Sequence, residues 1–154
     1  MKRNLGLYMS WVLVFAWMMI IFYFSSQEGL ISHQKSFSVA SAIERAIEMV
    51  LQKDIITEQN YKGFEFLIRK IAHITEYFIL SFLFFRAFIT SRFRLKKAVI
   101  FTAIFSILYA MTDEIHQIFV AGRGPSPVDV MIDTIGILGF LMIRLLKNTH
   151  NNLS

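Results

Sequence analysis

An all-α integral membrane bundle is the fold class this chain predicts, with four transmembrane helices and an extracytoplasmic amphipathic helix between helices one and two. Three observations carry it. The chain of 154 residues is 55% hydrophobic and 15% aromatic, with a mean hydropathy of +0.52, which is too apolar for an ordinary soluble domain of that size. Its apolar residues gather in four stretches of membrane-crossing length, and its charges sort by segment. A single domain over residues 1–154 follows, with no internal repeat and no low-complexity tract.

The first stretch, Leu5 to Phe24, holds twenty residues without a charge. At about 1.5 Å per residue it matches a hydrocarbon core of roughly 30 Å. Lys2 and Arg3 before it resemble the basic start of a secretory signal. The run is long, however, and ends in Phe24-Ser25-Ser26-Gln27 with no small-residue cleavage site, so a retained span is expected. From Phe37 to Leu51 the residues Val39, Ala40, Ile43, Ile47, Val50 and Leu51 recur at helical spacing, with Glu44, Arg45 and Glu48 off that face. This pattern fits a helix lying on the membrane surface, and equally one packed across the mouth of the bundle.

The second, third and fourth spans are expected at about 66–89, 98–120 and 128–146. Each carries ionisable groups inside its apolar pattern: His73 and Glu76; Asp113, Glu114 and His116; Asp129 and Asp133. Such groups are costly in lipid and face a bundle interior or a polar cavity.

Basic residues orient the spans. Lys2 and Arg3, then Arg86, Arg92, Arg94, Lys96 and Lys97, then Arg144 and Lys147 make up nine of the sixteen Lys and Arg, in segments without an acid. The positive-inside rule places both termini and the middle loop in the cytoplasm. Every embedded ionisable group then falls in the outer half of its helix. Cysteine is absent, which excludes a disulfide framework, a thiol nucleophile and a zinc-thiolate site. The pI near 9.6 does not come from a basic patch with groove-reading elements, so no nucleic-acid partner is expected.

Spacing places the outer polar residues on shared faces. Lys70, His73 and Tyr77 stand at i, i+3 and i+7, Asp113 shares a face with His116 and Gln117, and Asp129 and Asp133 are four apart. Arg123 sits in a short turn, Gly122-Arg123-Gly124-Pro125-Ser126-Pro127, stiffened by its prolines. It is suited to clamp an anionic head group, or to neutralise Asp113, Glu114 or Asp129. The five acids Glu76, Asp113, Glu114, Asp129 and Asp133 outnumber the cations Arg69, Lys70 and Arg123. No cofactor is evident, but the excess leaves room for a divalent cation held by His73, Asp113 and Asp129. His73 could alternatively be a general base partnered by Asp113 or Glu114. Ser25 or Ser26 lies at the right depth for a nucleophile, or simply satisfies a helix end.

The order Phe24-Ser25-Ser26-Gln27, Arg69-Lys70-x-x-His73-x-x-Glu76-Tyr77, Asp113-Glu114-x-His116-Gln117, Gly122-Arg123, and Asp129 with Asp133-Thr134-Ile135-Gly136 and Gly139 resembles the VanZ-like membrane proteins. That resemblance implies a multi-pass protein of the bacterial cell membrane, in a family named for a member linked to low-level teicoplanin resistance. Carried over by position, it marks Lys70, His73, Tyr77, Asp113, Glu114, Gln117, Arg123 and Asp129. Asp133 departs from the pattern, since many members have asparagine there. The expected catalytic candidates are His73, Asp113, Glu114, Gln117, Arg123 and Asp129, with Lys70, Tyr77, Asp133, Ser26 and Gln27 as substrate-binding candidates. The expected partner is a membrane lipid or lipid-linked cell-wall precursor at the outer leaflet. Catalysis, non-catalytic lipid or antibiotic binding, and a purely structural cluster all stay open on the sequence alone.

Overall fold

The computed structural model describes residues 2–52, 58–124 and 126–153. Among them the chain is helical throughout, without a strand: α1 (Lys2–Ser25), α2 (Gly29–Leu51), α3 (Glu58–Thr90), α4 (Leu95–Gln117) and α5 (Pro127–Leu153). Three helices contain segments long and apolar enough to cross a membrane, at Asn4–Ser25, Tyr61–Thr90 and Leu95–Gln117. α5, which carries Asp129, Asp133, Arg144 and Lys147, is not one of these three. Pro125 and the side chains of Lys2, Arg3 and Leu51 lie outside what is described.

The helix ends differ from the apolar boundaries for physical reasons. α3 starts at Glu58, ahead of the expected Phe66, because backbone hydrogen bonding continues into polar sequence, where Arg69 and Glu65 pair at 3.1 Å across one turn. α4 stops at Gln117 instead of Val120, since the next three N–H groups bond three residues back, to the carbonyls of Ile115, His116 and Gln117. The α3–α4 connection closes with Arg92 in the left-handed region (φ 65°). There the Phe93 N–H reaches the Phe88 carbonyl and the Arg92 N–H reaches that of Ile89, a Schellman ending with arginine where glycine is usual.

α3 is the hub and packs on each of the other four helices. Cross-helix contacts give the directions. Trp11 meets Phe88 and donates to Ser91, while Trp17 Nε1 donates to the Glu76 carbonyl (3.0 Å), so α1 runs antiparallel to α3. Tyr109 donates to the Met18 carbonyl (2.6 Å) and His116 stacks on Phe22, so α4 runs parallel to α1. Lys70 meets Asp129 and Phe78 meets Phe140, so α5 runs parallel to α3. α1 therefore starts at the end where α5 finishes.

At that end the core is aromatic, with Phe84 and Phe88 buried, Phe101 packed against Phe88, and Phe105 on the exposed side of the same ring cluster. Nearer the middle it turns to small and polar residues, with Ser81 donating to Ser106 (3.2 Å) between α3 and α4. The outer surface is apolar instead: Tyr8, Met19, Phe119 and Met142 are each more than 60% exposed. This inside-out distribution suits a helix bundle whose surroundings are hydrocarbon.

Candidate functional site

The polar stripes of α3 and α5 meet because the two helices run parallel at close approach. Gly136 permits it: a Cβ at that position would overlap the Ile74 carbonyl of α3. With that register, residues three apart on α3 face residues four apart on α5. Lys70 Nζ pairs with Asp129 Oδ1 at 2.5 Å, and one turn further His73 Nδ1 stands 3.3 Å from Asp133 Oδ1. The second contact is of ion-pair length but off the line of a hydrogen bond. Asp133 is 1% exposed, so His73 is the group that compensates its buried carboxylate. Asp129 lies in the first turn of α5, where the helix dipole favours a negative charge.

The partner expected for His73, Asp113 or Glu114, is therefore not the one observed. Glu114 is turned toward the start of α5, where its Oε1 accepts the Ser126 N–H at 2.6 Å. Ser126 in turn caps α5, its Oγ accepting the Val128 N–H. Asp113 accepts from Gln117 Nε2 at 3.3 Å through Oδ2, while its Oδ1 is buried with no hydrogen-bond partner among the described residues. The Ser25 hydroxyl lies beside the Asp113 carboxylate without a well-aligned hydrogen bond, and the Tyr77 hydroxyl is buried with no partner among the described residues. His116 leaves the Asp113 face: its ring stacks on Phe22 (centroids 4.4 Å) and its Nε2 meets Ser26 Oγ at 3.2 Å.

Arg123 pairs with none of the expected acids among the described residues. Its Nε donates to the Gln27 carbonyl and its Nη2 to that of Phe24, both at 3.2 Å. Both carbonyls lie where α1 ends: Gln27 follows its last residue, and the Phe24 carbonyl also accepts a long bond from the Gln27 N–H at 3.4 Å. The Gly29 N–H completes the latch by donating to the Ala121 carbonyl (3.0 Å). Gly122 beside it takes a positive φ of 73°, and a Cβ on Gly29 would overlap the Gly122 carbonyl. Burial, then the nearby Arg69 cation, pulls the Arg123 pKa below its ordinary value, with Asp113, Glu114 and Glu76 opposing. The guanidinium stays charged at any physiological pH.

Two cavities meet at His73. One, of about 260 Å³, lies between α1, α2 and α3 and has largely hydrocarbon walls, including Ile21, Phe24, Val39 and Ile68. Its polar groups are Ser25, Gln27, Ser32, Ser36, His73, Glu76 and Asp113, together with Arg69 and Arg123. The other, of about 230 Å³, is polar and reaches toward the α4–α5 turn. It is lined by Arg69, Lys70, His73, Gln117, Arg123 and Asp129, with glycine backbone from both corners. Arg69 and Arg123 are shared by both cavities, while the Lys70–Asp129 pair belongs to the polar one and Glu76 and Asp113 to the apolar one.

Of the sequence-derived candidates, His73, Lys70, Gln117, Arg123, Asp113, Asp129 and Gln27 line these cavities. Asp133 stands behind His73, Glu114 holds the start of α5, Tyr77 is fully buried, and Ser26 points to His116. Ser25, weighed as a nucleophile or as a helix-end serine, is a buried residue in the wall of the apolar cavity. The α2 residues Ser32 and Ser36 also line the apolar cavity, and nothing in their spacing marked them. Among the described residues, no three His, Asp or Glu side chains come together as a metal-holding group.

Several apolar helices of membrane length, with a charged cluster buried at one end, define the class: an all-helical protein of membrane-protein character. The profile of the VanZ/LLP1 family matches residues 10–147, and the chain belongs to that family. No curated protein and no solved structure matches it.

Proposed function

We propose that this protein sits in the bacterial cell membrane as four spans, with α5 as the fourth, both termini cytoplasmic and α2 on the outer surface. In that setting it takes an amphiphile, a membrane lipid or lipid-linked cell-wall component, into the paired cavities from the outer leaflet. The observation that carries this reading is the position of His73, which borders an apolar chamber fit for a chain and a polar, cation-lined chamber fit for an anionic head group. Asp133 stands 3.3 Å from Nδ1, so Nε2 is the nitrogen left to take a proton from a bound hydroxyl or water, with the carboxylate steadying the charge that forms on the ring. On α2, Phe37, Val39, Met49 and Val50 remain more than half exposed, which supports contact with lipid along that helix. The family likeness adds a physiological expectation, lower teicoplanin susceptibility in cells that carry the protein.

A holding role without chemistry has one observation in its favour. Lys70 is tied to Asp129 and Arg123 to two carbonyls, so groups that a reaction would move are already engaged. One experiment separates the two readings. The purified chain is incubated with bacterial lipid extract, retained lipids are identified by native mass spectrometry, and products are followed over time. Turnover that His73→Gln abolishes while lipid retention persists supports catalysis. Retention without product supports holding. A folded chain that neither retains nor alters any lipid sinks both.

A further inference from the structure

Toward the opposite end of the molecule from His73, residues 82–90 at the end of α3 and 140–147 of α5 line a groove of about 390 Å³. Its walls are Phe82, Phe85 and Ile89 on one side and Phe140 and Ile143 on the other. Phe140 meets Phe82 and Phe85 edge-on, with centroids 6.0 and 5.7 Å away, which joins the two walls and gives the groove an aromatic floor.

The rim of the groove is cationic: Arg86 from α3, and Arg144 and Lys147 from α5. The sequence has no acid between Glu76 and Asp113 and none after Asp133, so neither wall supplies a counter-charge. Arg144 lies 5.2 Å over the Phe85 ring, and its Nε is buried with no hydrogen-bond partner among the described residues. If Arg144 only served to reach the membrane–water boundary, its stem would lie along apolar surface and its head would be in water. Here part of the head is drawn into the groove. Converging like charges and an unmet buried N–H are both relieved by one anion, and a guanidinium grips a phosphate through two parallel hydrogen bonds.

We infer that this groove binds an anionic glycerophospholipid of the leaflet at that end. The phosphate sits among Arg86, Arg144 and Lys147, and one acyl chain lies against Phe82, Phe85, Phe140 and Ile143. Basic recesses between membrane helices are a recurrent setting for anionic head groups. The site is separate from the His73 cavities and stands or falls independently of their function.

The test uses the full chain in nonionic detergent, offered equal amounts of dioleoyl phosphatidylglycerol and dioleoyl phosphatidylcholine, with retained lipid counted by native mass spectrometry. Phosphatidylglycerol should be retained about tenfold better, and the double variant Arg144→Gln, Lys147→Gln should erase that preference. Arg86→Gln, at an exposed position, should reduce it several-fold in a chain of unchanged helical content. Ile143→Trp, which fills the groove and keeps every charge, should also reduce it, while inorganic phosphate alone should not displace the lipid. Equal retention of the two lipids, charge variants with wild-type preference, an Ile143→Trp chain that binds normally, or full displacement by phosphate would each overturn the site.

Discussion

Arg123 and Asp133 carry most of the difference between what spacing implied and what packing produced. Arg123 ends up as a cap for α1, and a forked guanidinium is needed to reach two carbonyls at once. Arg123→Gln should destabilise the chain by about 2 kcal/mol, the scale of hydrogen bonds to a charged donor, and Arg123→Lys should recover less than half. Thermal unfolding in detergent checks both. Asp133→Asn removes the charge beside His73 and keeps the shape, so Tm should hardly change. If His73 acts as a base, turnover of the bound lipid should fall by about 100-fold or more, which product analysis measures. The depth of each polar residue was legible from its place in an apolar run. Partners were not, because helical spacing assigns a residue to a face of its own helix and says nothing of which helix that face meets. So His73 was expected to meet Asp113 or Glu114 and meets Asp133, and His116 was expected beside Asp113 and stacks on Phe22.

Helix existence and order were readable, because runs such as Leu5 to Phe24 are long enough to leave one interpretation in lipid. Register was not: Gly136 and Gly139 mark in the sequence a face that another helix can approach closely, but not which helix approaches or at what height. Gly136→Ala should cost about 2 kcal/mol, since its Cβ would press on the Ile74 carbonyl and push α5 off α3. The same substitution should weaken lipid retention at the His73 cavities, because Lys70–Asp129 and His73–Asp133 share that register. Gly139, whose Cβ would meet only the Phe78 ring at ordinary distance, should tolerate alanine, which makes it the matched control. The α3–α4 turn gives the opposite sign. Arg92→Gly should stabilise by about 1 kcal/mol by relieving the positive φ, read as a raised Tm.

Across the whole molecule, the directions of α1, α3, α4 and α5 and the segregation of charge have a joint consequence. α1 and α4 run one way and α3 and α5 the other, so the acid-free segments rich in Lys and Arg fall at one end and the latch of Gly29, Gly122 and Arg123 at the other. If the four spans cross a bacterial membrane, the positive-inside rule puts the first end in the cytoplasm. The absence of native cysteine makes this directly measurable, because each introduced thiol is the only one in the chain. Glu28 at the α1–α2 corner, Lys97 at the start of α4 and Lys147 near the end of α5 are all exposed. In intact cells, Glu28→Cys should react with a membrane-impermeant maleimide, whereas Lys97→Cys and Lys147→Cys should react only after permeabilisation. Labelling of Lys147→Cys together with Glu28→Cys would mean that α5 does not cross. The paired cavities would then open without a fourth wall in the membrane, and entry of an amphiphile from the outer leaflet could not follow the path proposed here. Labelling of Lys97→Cys alone would invert the whole bundle and place His73 at the inner leaflet, where a cell-wall component exposed outside could not reach it.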